Sequence, residues 1–185
     1  MADGLVDALS GAQRLGFLGR RPISEVIEHA RAFVEALSEL PPDARVIDLG
    51  SGGGVPGLVI AAERPDLRIT LLDRRTKRTD FLERSVIRLG WADRVSVMAT
   101  DVARLRPEPL FDAAVARGFG PPVDTLMIAA RLVRGGGRVV ISEPPTGDRW
   151  NSDVLTRAGV ERLAAASVDR VSIFIRSGET DDRRV

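Results

Sequence analysis

One stretch limits the fold more than any other: Val46-Ile47-Asp48-Leu49-Gly50-Ser51-Gly52-Gly53-Gly54-Val55-Pro56-Gly57. A short apolar run ends in an acid, a glycine turn follows, and a helix start follows that. Nucleotide-binding α/β folds place strand, loop and helix in this order. Glycine lets the backbone pass close to a ligand at φ values other residues avoid. Pro56 suits the first turn of the following helix.

The flanking pattern extends the α/β reading. Apolar residues recur at helical spacing over residues 23–40, and Pro41-Pro42 stops that helix; a weaker helical pattern, broken by glycines, covers 5–18. The spacing predicts strands at 45–49, 67–72, 95–99 and 112–116. Helices are predicted at 57–63, 76–89 and 121–133, with Gly90 ending the second of these. Gly135-Gly136-Gly137 reads as a turn into a strand at 138–142, and 160–175 holds one or two more strands. Strand and helix alternate, which predicts a mostly parallel α/β, Rossmann-like sheet with helices on both faces. The expected organisation is a single domain. Residues 1–40 form a helical segment packed on the core, 41–177 the ligand-binding core, and 178–185 a polar, frayed tail.

Composition narrows the chemistry. With no cysteine and one histidine, His29, the chain excludes thiol nucleophiles, cysteine-ligated metal and any multi-histidine site, so no metal is expected. Aromatics at 4% argue against a broad stacking platform for single-stranded bases. A net charge of +1 confines any nucleic-acid contact to a local patch. The first residues lack a basic start and an apolar run, and no stretch approaches the ~18 apolar residues of a membrane span. A cytoplasmic protein without membrane contact is expected.

Two ligands compete for the glycine loop. Gly52-Gly53-Gly54-Val55-Pro56-Gly57 fits the dinucleotide pattern G-x-G-x-x-G, but the carboxylate of Asp48, two residues before the first glycine, would repel a pyrophosphate. S-adenosyl-L-methionine has no phosphate and carries an ammonium and a sulfonium, which suit an acid there. Asp73, closing the next strand, is placed to accept both ribose hydroxyls. At Thr100-Asp101-Val102-Ala103, side chain and backbone are placed for the adenine edge. The alternative role for Asp48 and Asp73 is helix capping, and Asp101 equally suits a turn or a cap.

Val46 to Gly57, Arg64-Pro65-Asp66, Thr70-Leu71-Leu72-Asp73, Lys77-Arg78, Phe81-Leu82-Glu83 and the Ala116-Arg117-Gly118-Phe119 turn together resemble the 16S rRNA guanine-N7 methyltransferase family, also called glucose-inhibited division protein B. The resemblance implies cofactor contacts at Gly50, Val55, the backbone of Val102 and Ala103, and Arg117; Ser51 and Gly52 complete the expected loop contacts. Three departures stand out. Residues 15–22 replace the family's Asn-Leu-Thr-Ala segment, Arg31-Ala32-Phe33 replaces the Asp-Ser that follows its histidine, and Ser142-Glu143-Pro144-Pro145 replaces its Lys-Gly.

Methyl transfer from a sulfonium needs positioning and electrostatics rather than a metal. Guanine N7 attacks through an in-plane lone pair and loses no proton, which fits a chain without an obvious general base. Arg117 is the candidate for positioning the reacting groups, with a surface ion pair as its other reading. Arg74 and Arg75 head a basic run with Lys77, Arg78, Arg84, Arg88 and Arg94, offset by Asp80, Glu83 and Asp93. They are placed to neutralise RNA phosphates, though such a run also serves as a solvated helix face. The expected partner is 16S rRNA or the small ribosomal subunit. Glu143 keeps a small-molecule substrate open, and a non-catalytic cofactor-binding module is the third reading.

Overall fold

The computed structural model describes residues 2–106, 108, 110–144, 149–163 and 170–178. Two N-terminal helices, α1 (Ala2–Arg14) and α2 (Ile23–Ala36), precede β1 (Arg45–Leu49), α3 (Gly57–Glu63), β2 (Arg68–Asp73), α4 (Thr76–Leu89) and β3 (Val95–Ala99). A single 3-10 turn (Val102–Arg104) links β3 to β4 (Phe111–Ala116). Then follow α5 (Pro122–Leu132), β5 (Val133–Ser142), α6 (Ser152–Ala158), β6 (Val160–Arg162) and β7 (Val171–Arg176).

The strands form one sheet in the order β3-β2-β1-β4-β5-β7-β6. β1 to β5 run parallel; β7 lies antiparallel between β5 and β6. Alternation along each strand sends side chains to opposite faces. Val46, Ile69, Leu71, Ala113, Val115, Val140 and Ile173 pack under α1 to α4. Ile47, Leu49, Leu72, Ala114, Val139, Ile141 and Phe174 pack under α5 and α6. Leu5, Leu9, Ala12, Val26, Phe33 and Leu37 belong to the first of these clusters, so the N-terminal helices share the core of the sheet.

The structure adds three details to the sequence expectations. The sheet is mostly parallel, with its two closing strands antiparallel. β5 starts at Val133, ahead of the glycine run, whose Gly136 takes φ 75, and its regular pairing with β4 resumes at Arg138 after a register shift between Phe111 and Ala113. A Cβ on Gly137 would sit 2.6 Å from the Asp112 carbonyl oxygen and 2.4 Å from Val133 Cγ1, so glycine there permits the close approach of two strands. The third concerns α6, absent from the sequence expectations, which is capped by Asn151 accepting from the Val154 N–H and ended by Gly159 at φ 61. The expected tail beyond Gly178 and Pro145 lie outside the described residues.

Candidate functional site

The carboxyl ends of β1, β2 and β3 meet at a cleft of about 380 Å³. Its lining includes Gly50, Asp73, Arg74, Arg75, Asp101 and Val102, with Arg78, Gly118 and Phe119 completing the walls. Open α/β sheets bind ligands at this edge, and the volume falls within the ~300–1,000 Å³ typical of ligand pockets. Gly50 turns the chain out of β1 at φ 69, and a Cβ there would meet the Phe119 ring at 2.7 Å. The β1 and β4 ends therefore touch across the cleft.

The loop behind it is fixed by buried bonds. Ser51 N–H donates to the Leu72 carbonyl (2.9 Å) and Ser51 Oγ to the Asp48 carbonyl (2.9 Å). Asp48 Oδ2 accepts from the Gly57 N–H (3.0 Å), tying strand to helix. The Asp48 side chain is only 1% exposed, and its Oδ1 is buried with no hydrogen-bond partner. Burial pushes its carboxyl from 3.8 up to about 6, while the Gly57 N–H and the charge of Arg117 pull the other way. Asp48 thus lies beneath the loop rather than in the cleft wall.

Asp73, 4% exposed, accepts from the Gly52 N–H (3.1 Å) and Arg78 Nη1 (3.2 Å) at Oδ2, and from the Arg75 N–H (2.9 Å) at Oδ1. Asp101 caps the 3-10 turn, its Oδ1 accepting from the Ala103 N–H at 2.9 Å. The cap role anticipated for Asp101 is therefore filled, and the Ala103 N–H is taken. Val55 faces away from the cleft into the core, 4% exposed.

Arg117 follows β4 and is half-buried; among the described residues no hydrogen bond or ion pair engages its guanidinium. Burial and the nearby Arg21 lower its pKa, and Asp48 opposes that shift. Arg21 comes from the 15–22 segment, which covers the outer side of the loop: a Cβ on Gly53 would strike Leu18 Cγ at 2.5 Å. Gln13 Nε2 holds that segment through the Gly19 and Arg21 carbonyls. His29 stands 3.5 Å from Arg21 Nη1, half-buried.

Glu143 lines a second cleft of about 280 Å³, which shares Gly118 and Phe119 with the first. It pairs with Arg149 Nε (2.9 Å) and accepts from Trp150 Nε1. Its charge is balanced inside the protein, a role that sequence reasoning missed because nothing in the local pattern links residue 143 to 149 and 150. Phe119 and Arg78 also line the first cleft without having been singled out as contacts, although both stand within the motifs quoted above.

The fold is that of the class I methyltransferases. A crystal structure of a SAM-dependent methyltransferase from Geobacter sulfurreducens in complex with S-adenosyl-L-homocysteine matches with a TM-score of 0.56 at 25% identity, over 74% of this chain and 64% of that one. The YcgJ protein from Bacillus matches with a TM-score of 0.61 at 14% identity, over 74% and 69%. The chain belongs to the GidB family, rRNA small subunit methyltransferase G, whose model matches residues 6–145. Relatives named ribosomal RNA small subunit methyltransferase G include one from Sorangium cellulosum, 33% identical over 155 residues (80% of this chain, 64% of the relative). Another, from Laribacter hongkongensis, is 37% identical over 106 residues (56% and 51%). The chain therefore spans between half and two thirds of the length of these relatives.

Proposed function

We propose that the chain binds S-adenosyl-L-methionine in the larger cleft and transfers its methyl group to N7 of a guanine in 16S rRNA. The observation that carries this reading is the convergence of Gly50, Asp73 and Asp101, from three successive strand ends, on one cleft of ligand size. Membership of the GidB family supports the choice of acceptor.

The residues fit the cofactor part by part. Asp73 faces the ribose. A carboxylate accepts about four hydrogen bonds, and Gly52, Arg75 and Arg78 use three. Accepting both ribose hydroxyls therefore requires Arg78 to release Oδ2. With Oδ1 of Asp101 engaged by its cap, Oδ2 serves the adenine amino group. The half-buried Arg117 is the counterpart of the carboxylate of an amino-acid moiety, while Asp48, buried beneath the loop, fixes the loop's backbone and acts on the ammonium through its charge alone. Gly50, Ser51 and Gly52 shape the loop that lets this moiety approach the backbone; Val55, Val102 and Ala103 support it from behind and beside. In this organisation residues 1–40 back the loop, and 41–177 form the binding core.

When bound, the sulfonium supplies an electrophilic methyl group to an acceptor lone pair that needs no deprotonation. The protein's part is to orient and to stabilise charge, with Arg117 positioning the reacting groups. Arg74 and Arg75, exposed at the entry to α4, neutralise RNA phosphates beside the cleft. The Glu143–Arg149 pair removes the uncompensated acid that favoured a small-molecule substrate.

Calorimetry with S-adenosyl-L-homocysteine and NAD tests the cofactor, and preference for NAD would end this reading. Incubation with 30S subunits, followed by mass spectrometry of the 16S rRNA, should detect 7-methylguanosine. Arg117→Ala should depress that transfer far more than Arg157→Ala on the outer face of α6. No transfer despite tight cofactor binding would favour a non-catalytic module.

A further inference from the structure

The β3–β4 connection is unusual within this sheet. The parallel steps β1 to β2, β2 to β3 and β4 to β5 are each made through a helix, whereas among its described residues the segment after β3 contains only the three-residue 3-10 turn. Its backbone nevertheless forms one wall of the cleft, through Asp101 and Val102. A helix satisfies its own carbonyls; here the Asp101 and Val102 carbonyls accept from the Arg104 and Leu105 N–H within the turn, and the carbonyls that follow depend on side-chain donors.

Arg131 supplies them from the far end of α5. Its Nη1 donates to the Leu105 carbonyl (2.9 Å) and its Nη2 to the Val102 carbonyl (3.0 Å). The planar guanidinium thus spans both ends of the turn from an element that the turn does not belong to. Arg106 also bonds the Ala103 and Leu105 carbonyls at 2.9 Å, but from within the segment, so it cannot anchor the segment to the fold.

We infer that Arg131 is a positioning residue for the purine side of the cofactor, holding the Val102–Leu105 backbone in register with the cleft through its two-carbonyl fork. The inference deepens the cofactor reading above and rests on it. Arg131 touches neither cofactor nor acceptor; it acts through the wall.

The test is calorimetric titration of wild type, Arg131→Ala, Arg131→Lys and Arg106→Ala with S-adenosyl-L-homocysteine and with adenosine. Amide exchange of residues 102–105 is read alongside, and exchange of β1 and β4 amides reports whether each variant is folded. Loss of two charge-assisted bonds should weaken both ligands by about 10-fold in Arg131→Ala. Exchange at 102–105 should quicken while β1 and β4 stay protected. Arg131→Lys, which reaches one carbonyl, should recover part of the affinity, and Arg106→Ala should stay within about 2-fold of wild type. In methyl transfer, KM for the cofactor should rise with kcat at saturation little changed. A folded Arg131→Ala that binds both ligands like wild type overturns the inference, whatever its exchange rates. A wild-type protein that binds neither ligand overturns the cofactor reading and this inference with it.

Discussion

Two of the connections that build the cleft are held in opposite ways. The loop after β1 is sealed: Ser51, Gly53, Gly54 and Val55 are buried, Leu18 covers one side and Leu58 the other, and two buried carboxylates fasten its backbone. The segment after β3 lies at the surface, with Asp101, Ala103 and Arg104 exposed; it is fastened by the buried Val102 and Leu105, one cap and the Arg131 fork. A sealed loop resists displacement because moving it breaks packing and strands buried polar groups. A surface segment yields locally at the cost of a few solvent-accessible bonds. In the proposed binding mode the amino-acid half of the cofactor would thus meet a stiff wall, and the purine half an adjustable one.

The largest expected effect that separates the two comes from Asp48. Because burial raises its pKa from 3.8 to about 6, the folded protein retains a proton over a range where the unfolded chain has already lost it. Stability contributed by the protonated group is full below the unfolded value and is lost as pH rises through about 6. The loss is on the order of 3 kcal/mol. Asp48→Asn should therefore be more stable than wild type to urea at neutral pH and close to it near about pH 4. Identical pH profiles for the two proteins would mean the loop is less sealed than described.

A smaller effect is expected at Gly57. A Cβ there would stand 2.3 Å from Leu71 Cδ2 and 2.6 Å from Asp48 Oδ2. Gly57→Ala should cost about 1–3 kcal/mol of unfolding free energy, the usual result of overpacking a filled interior. A neutral outcome in denaturant titration would show that the loop can move after all.

Smallest is the change at the surface segment. Asp101→Ala removes one cap and should cost about 1 kcal/mol or less globally. Its effect should be visible instead as faster amide exchange confined to residues 101–105. Exchange that quickens in β1 as well would show that the two walls move together, and the contrast would fail.

Much of this architecture was legible in the chain because it rests on local signals. Apolar runs bounded by Asp48-Leu49-Gly50 and by Pro65 and Gly90 place β1, α3 and α4 at the boundaries observed. What stayed hidden depends on partners distant in sequence. No local pattern shows that β7 enters between β5 and β6 or that Arg149 closes on Glu143. The sidedness of Asp48 was equally hidden: its acidity was read as facing a ligand, whereas packing of α3 places the carboxylate under the loop. A seven-residue helix such as α6 is too short for periodicity to reveal, although Asn151 and Gly159 mark its ends.

The insertion of β7 bears on how the molecule behaves at high concentration. With β7 between β5 and β6, the long ten-residue β5 is paired on both sides, and among the described strands the open edges fall to β3 and β6. β6 has only three residues, two of them the charged Glu161 and Arg162, both exposed. β3 has five and presents the exposed Ser96. Short edges are poor templates for another chain to add a strand, and the charges of β6 add to that protection. Removing β7 would bare the flank of β5, whose Val139, Val140 and Ile141 make it the most adhesive surface the sheet could offer.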